Sequence, residues 1–293
     1  MKNNKTVTNF KPMIKLLPII LMAAIFSSCT EKMDIELDED YARLVAEGVI
    51  TNEVKAHKIE LSKTTGFFNS EPAQRISGAI VTLDDGNNTD TLQEMSQQKG
   101  TYATEETYRG VPGRSYELHI ILPEAVSGEK EYHATCKMPP ERYLDSINVA
   151  YKQRWEAWEV QAYATEPPTT DFYRFDIIKN GELITDTINE PFVTDDILFN
   201  GQYTNGIAAG YLQVENPQEI VEPGDTITLR LSSITEEYFT FLFDVIDETG
   251  FNSPLFDGPP ANIRGNISNG AIGFFAATAV DYSTTTFTGD KVD

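Results

Sequence analysis

The chain carries three histidines, His57, His119 and His133, and these are the side chains whose ordinary titration falls near neutral pH. If residues 114–122 and 131–138 pair as a hairpin across the loop 123–130, His119 and His133 fall nearly opposite each other. They then lie on the face away from Leu118, Ala134 and Cys136, with Glu117 and Glu131 two positions off, which are the ligand types of a weak surface zinc site. Two solvated histidines are the plainer reading, and no metal is assigned. Hard oxygen ligands are more plentiful: Asp84, Asp85, Asn87 and Asp90 could surround calcium, and Asp195-Asp196 is a second place for it. The spacing of an EF-hand with its terminal Glu is absent, and such Asp/Asn/Gly clusters are what a β-turn requires, so no cofactor is assigned either.

Nucleophilic chemistry finds no framework. There is no G-x-S-x-G elbow and no H-E-x-x-H motif, and Cys136 alternates with Tyr132, Ala134 and Met138 as a small apolar residue of a strand face. No catalytic residue is assigned and the chain is expected not to be an enzyme. Trp155 and Trp158 are the candidate ligand-binding residues, because exposed indoles make stacking platforms and interface anchors. On one strand they would point to opposite faces, so that one fills a core and the other faces solvent.

These residues must be positioned by a β framework. From 41 to 140 the chain reads as strands at 43–51, 56–65, 77–84, 89–94, 101–107, 114–122 and 131–138, separated by turn clusters such as Asp84–Asn88 and Gly110–Gly113. That count suits an immunoglobulin-like or prealbumin-like sandwich. Met138-Pro139-Pro140 closes this unit. A second, larger β-sandwich is expected over 141–293, with strands at 145–152, 157–165, 171–179, 182–188, 207–214, 226–234 and 270–281. It should carry one amphipathic helix, 236–248, capped by Thr235 and presenting Tyr238, Phe241, Leu242, Val245 and Ile246 on one face. The connection from Phe251 to Asn269 is expected to be ordered by Phe251 and Phe256 against the sandwich. The expected fold class is therefore mainly β, two tandem β-sandwich domains.

Charge and the N-terminal segment bear on location. With 45 acidic against 23 basic residues, a net charge of −22 argues against any protein that neutralises nucleic-acid phosphates. Lys2, Lys5, Lys11 and Lys15 precede the apolar run Leu16–Phe26 and then Ser27-Ser28-Cys29, the layout of a signal peptide over 1–28. The run is too short to span a bilayer, which needs about 20 residues. Cys29 after small residues resembles the lipobox of bacterial lipoproteins, which implies acylation of Cys29 and a stable membrane anchor. Residues 29–40, with Glu31, Asp34, Glu36, Asp38, Glu39 and Asp40, form an acidic tether. This tract resembles the signal that sends Bacteroidetes lipoproteins to the outer face of the outer membrane. With Cys29 lipidated, Cys136 has no disulfide partner.

Several short motifs then occur in order: Leu44–Glu53, Lys137-Met138-Pro139, Asp145-Ser146-Ile147, Pro223-Gly224-Asp225 and Gly265–Ala271. Together they resemble the Bacteroidetes domain of unknown function 4249 family. The resemblance implies an outer-membrane surface lipoprotein, facing the cell exterior, often met beside TonB-dependent receptors and without an established activity. The expected function is a non-enzymatic binding or accessory module working with such a receptor in nutrient uptake. Two alternatives are an adhesin or fimbria-like structural protein, and a glycan-acting hydrolase built on an acidic pair.

Overall fold

Alternation of apolar and polar residues writes most of the strands directly. In Leu44–Thr51 (β1), Leu44, Ala46 and Ile50 are buried, and in Lys58–Lys63 (β2), Ile59 and Leu61 are. The computed structural model describes residues 42–64, 72–249 and 263–289. The expected signal peptide, Cys29, the acidic tether, Phe251 and Phe256 lie outside the described residues. The remaining strands of the first half are Gln74–Arg75 (β3), Ile80–Asp84 (β4), Thr89–Thr91 (β5), Gln93–Glu94 (β6), Thr101–Ala103 (β7), Ser115–Val126 (β8) and Glu129–Lys137 (β9). Those of the second are Ser146–Lys152 (β10), Ala157–Tyr163 (β11), Phe172–Lys179 (β12), Glu182–Leu183 (β13), Phe192–Asp195 (β14), Ile207–Gln213 (β15), Thr226–Ile234 (β16) and Phe275–Thr286 (β17). The helix, α1, spans Glu236–Thr249, and the Thr235 hydroxyl accepts from the Tyr238 amide at 3.2 Å as its N-cap.

The protein is mainly β, built as a sandwich-like stack of sheets. A long sheet runs β13-β12-β16-β17-β1-β2-β7-β6, with β14 added beside β12 and β3 beside β2. A four-stranded sheet, β5-β4-β8-β9, and a three-stranded sheet, β10-β11-β15, complete the set. Register places Ile50 with Ala277, and Asp281 with Leu231, so the inward sides of β1, β17 and β16 share one face. On that face Leu44, Ile50, Ile59 and Ala277 pack against Val81, Leu118, Ile120 and Tyr132 of the four-stranded sheet. Alongside, Phe175, Ile177, Leu229 and Leu231 pack against Trp158, Val160 and Leu212 of the three-stranded sheet. The opposite face receives α1, whose Tyr238, Phe241 and Leu242 meet Phe274 and Ala276.

The hydrogen bonding does not stop at residue 140. Two cores do fall on either side of it, but β17 supplies Phe275, Ala277 and Ala279 to the first and Phe287 follows into the second. β17 joins β16 antiparallel on one side and β1 parallel on the other, so the last strand completes both halves. The described strands of the two expected sandwiches thus share one long sheet, and a split into two separate domains is not confirmed. The side chain of Asn52 extends the β1–β17 ladder by one step: its Oδ1 accepts from the Val280 amide at 2.7 Å and its Nδ2 donates to the Val280 carbonyl at 3.3 Å. Gly273 just before β17 has φ of +101°, and a Cβ there would stand 2.2 Å from the Ala46 carbonyl oxygen, so only glycine lets the two backbones approach.

Two expected strands are placed differently, and one strand was not expected. The expected strand 89–94 divides at Leu92, which turns into the first core, so that β5 pairs with β4 and β6 pairs with β7. The final strand begins at Phe275 because Asn269, Gly270 and Gly273 adopt positive φ, and it runs on through Thr284, Thr285 and Thr286 with alternating exposure. β14 carries four half-buried residues and no alternation, which left it unread.

Removing the Asn52 amide leaves the buried Val280 N–H without its acceptor, so Asn52→Ala should lower unfolding free energy by about 1–3 kcal/mol in urea titration. A second expectation concerns pH. His57 is buried, its Nδ1 accepts from the Thr51 amide at 3.3 Å, and its Nε2 has no partner. Burial, with Lys55 adding repulsion, holds its imidazole below the ordinary value. As pH falls the unfolded chain takes up this proton first, so the associated stability is complete above about pH 6.5 and is lost as pH drops through the folded value. The drop in urea midpoint between pH 7.5 and 5 should be smaller in His57→Gln than in the wild type; an equal drop would refute the assignment.

Candidate functional site

Antiparallel pairing of β14 with β12 sets Phe172 opposite Asp195, which leaves the residues just outside the ladder, Asp171 and Asp196, side by side. The Asp196 amide donates to the Asp171 carbonyl at 3.1 Å. The loop from β11 to β12 supplies Glu166, whose amide donates to the Gln202 carbonyl at 2.9 Å. Oxygens of Glu166, Asp171 and Asp196 then lie within 4.8 Å of one another.

The three carboxylates are held very differently. Asp171 accepts a two-pronged bond from Arg142, with Nε and Nη2 at 3.1 and 3.0 Å from Oδ2, and another from the Thr169 hydroxyl. Glu166 accepts from the buried Tyr173 hydroxyl at 2.5 Å. Asp196 is fully buried, 0% exposed, and neither oxygen of its carboxylate has a hydrogen-bond partner. Burial pushes the Glu166 and Asp196 carboxyls upward, and neighbouring acids add to this.

The motifs that mark the chain serve the fold and stand apart from this cluster. In Gly265–Ala271 the Asn266 amide group brackets Phe275, accepting from its N–H at 2.8 Å and donating to its C=O at 2.7 Å. In Pro223-Gly224-Asp225, Gly224 has φ of +103° and Asp225 accepts from the Glu222 amide, closing a turn. Residues 30–284 match the family model described as Domain of unknown function (DUF4249). The chain belongs to this family. A search of curated proteins finds no match.

Of the residues singled out in the DUF4249 chain, Asp196 enters the cluster, whereas Asp195 caps the amide of Ile197 at 3.2 Å. Asp84 and Asp85 spend their oxygens inside their own turn, on Gly86, Thr89, Asn87 and Asn88, and Arg114 takes the rest of Asp85. Glu166 and Asp171 were not foreseen: the only trace of them is two acids flanking Pro167-Pro168-Thr169-Thr170, and their meeting with Asp196 depends on β14.

His119 and His133 pair directly across β8 and β9, as their spacing implies. The rings stack with centroids 4.2 Å apart and planes 6° from parallel, and Glu131 Oε1 lies 2.7 Å from His119 Nε2 and 3.6 Å from His133 Nε2. Ring nitrogens bind metals in the ring plane, so parallel rings cannot aim at one ion until one of them rotates. Cys136 is half-buried, and burial drives its thiol upward, which suits a packed residue.

The two tryptophans do not share a strand. β11 begins at Ala157, so Trp155 stands in the turn between β10 and β11, 56% exposed, with the Arg154 guanidinium 4.7 Å from its ring centre. Trp158 is buried in the second core, edge-on to Tyr151 and Phe287. Two further apolar residues, Ile197 and Leu198, follow Asp196 and are 75% and 78% exposed. An open pocket of about 440 Å³ lies where Phe243 and Ile246 of α1 face Phe192, Val193 and Tyr211. Trp158→Ala should cost about 3–5 kcal/mol in chemical denaturation, as for other buried aromatic truncations. Trp155→Ala should stay within about 0.5 kcal/mol of wild type, as expected of a solvated turn.

Proposed function

We propose that this DUF4249 chain is a surface-exposed outer-membrane lipoprotein, a non-enzymatic binding module that works beside a TonB-dependent receptor in nutrient uptake. One observation carries the reading: four lysines, the apolar run Leu16–Phe26 and Ser27-Ser28-Cys29, followed at once by an acidic tract. Acyl chains on Cys29 would hold the protein to the bilayer, since more than one chain gives stable anchoring. Among the described residues no helix is long and apolar enough to cross a membrane, so in this reading Cys29 provides the attachment. Exposed Trp155, Ile197 and Leu198 supply the kind of apolar and aromatic side chains that anchor protein interfaces.

Metabolic labelling with palmitate should mark the wild-type chain and leave Cys29→Ala unlabelled and released from membranes. Equal labelling of both would remove the anchor from the reading. Affinity isolation from detergent-solubilised membranes should recover a TonB-dependent receptor; an isolated chain under every growth condition would count against the partnership.

A further inference from the structure

We propose that Glu166, Asp171 and Asp196 bind one calcium ion. The decisive feature is Asp196, whose carboxylate is wholly buried with both oxygens unpartnered. An ionised carboxylate so placed is unfavourable unless something supplies the missing positive charge. Among the described residues no basic side chain pairs with Asp196, and Arg142 is committed to Asp171. Three carboxylates and one guanidinium leave two negative charges, the complement of a divalent cation.

The donor set selects the ion. All donors are carboxylate oxygens, which suit hard cations and not zinc or copper. Glu166, Asp171 and Asp196 each offer a carboxylate oxygen, and these oxygens lie within 4.8 Å of one another. The Thr169 side of the loop is open to solvent, so water can complete a shell of the six to eight oxygens that calcium takes. Magnesium demands a stricter octahedron and gives up its water reluctantly, which makes it the weaker occupant. A bound ion would tie the loop carrying Glu166 and Asp171 to the segment that starts at Asp196 and exposes Ile197 and Leu198. The inference is independent of where the protein resides.

The full-length chain in detergent, stripped with EDTA, provides the test. Titration calorimetry with calcium chloride should give one ion per chain. The thermal midpoint should rise with added calcium. Asp196→Asn, which removes a buried charge at constant shape, should fold with a metal-free midpoint no lower than wild type and lose the calcium-dependent rise. Asp90→Asn, on the exposed β5, should keep it. Terbium provides a readout that needs no variant: excited through Tyr173, it should luminesce when bound and be displaced by calcium. No calcium uptake at 10 mM, a full rise retained in Asp196→Asn, or a rise lost equally in Asp90→Asn would overturn the proposal.

Discussion

Parallel pairing of β17 with β1 is the constraint on which the rest of the architecture depends. Without it the long sheet falls into two pieces, the first core loses Phe275, Ala277 and Ala279, and α1 loses Phe274 and Ala276 beneath it. The contact joins residues more than two hundred positions apart, as Asn52 and Val280 illustrate. Closing so large a loop costs conformational entropy before any packing rewards it. Local devices compensate. Gly273 lets backbones meet, and the side chains of Asn52 and Asn266 stand in for peptide groups at each end of the ladder.

Buried charge is treated in two ways on the two sides of β12. Asp176, 0% exposed, is bracketed by Arg174 at 2.8 Å and Arg230 at 2.9 Å, so its charge is compensated within the long sheet. Asp196, equally buried, has no such bracket. The first arrangement fixes the register of β12 against β16, since both arginines and the aspartate sit on one face of that pair. The second lies just beyond the end of β14, where the ladder stops and loops take over, the usual place for function on a rigid scaffold.

Strands with marked alternation, such as β8 and the first part of β16, were legible from residue types alone, and so was α1, whose apolar spacing and Thr235 cap predict its start to the residue. The facing of His119 and His133 was legible too, because a hairpin converts sequence spacing into register. Elements defined by partners were not. β14 has no alternation of its own and exists because β12 offers an edge; Glu166 and Asp171 therefore gave no sign of meeting Asp196. The polar end of β17 reads as loop, yet threonine tolerates a half-exposed strand well. A boundary at Pro139-Pro140 marks where one core yields to the next, but it is silent on a strand that returns from the far end of the chain.

The segment 266–269 lies along the outer side of β9. Ser268 exchanges two bonds with the backbone of His133, Asn269 donates to the Glu131 carbonyl, and Asn266 donates to that of Thr135. Three successive outward-facing positions of the nine-residue strand are thereby occupied from within the same molecule. Polymerisation by lending a strand to a neighbour would first have to evict this segment, so the margin of β9 is sealed against it.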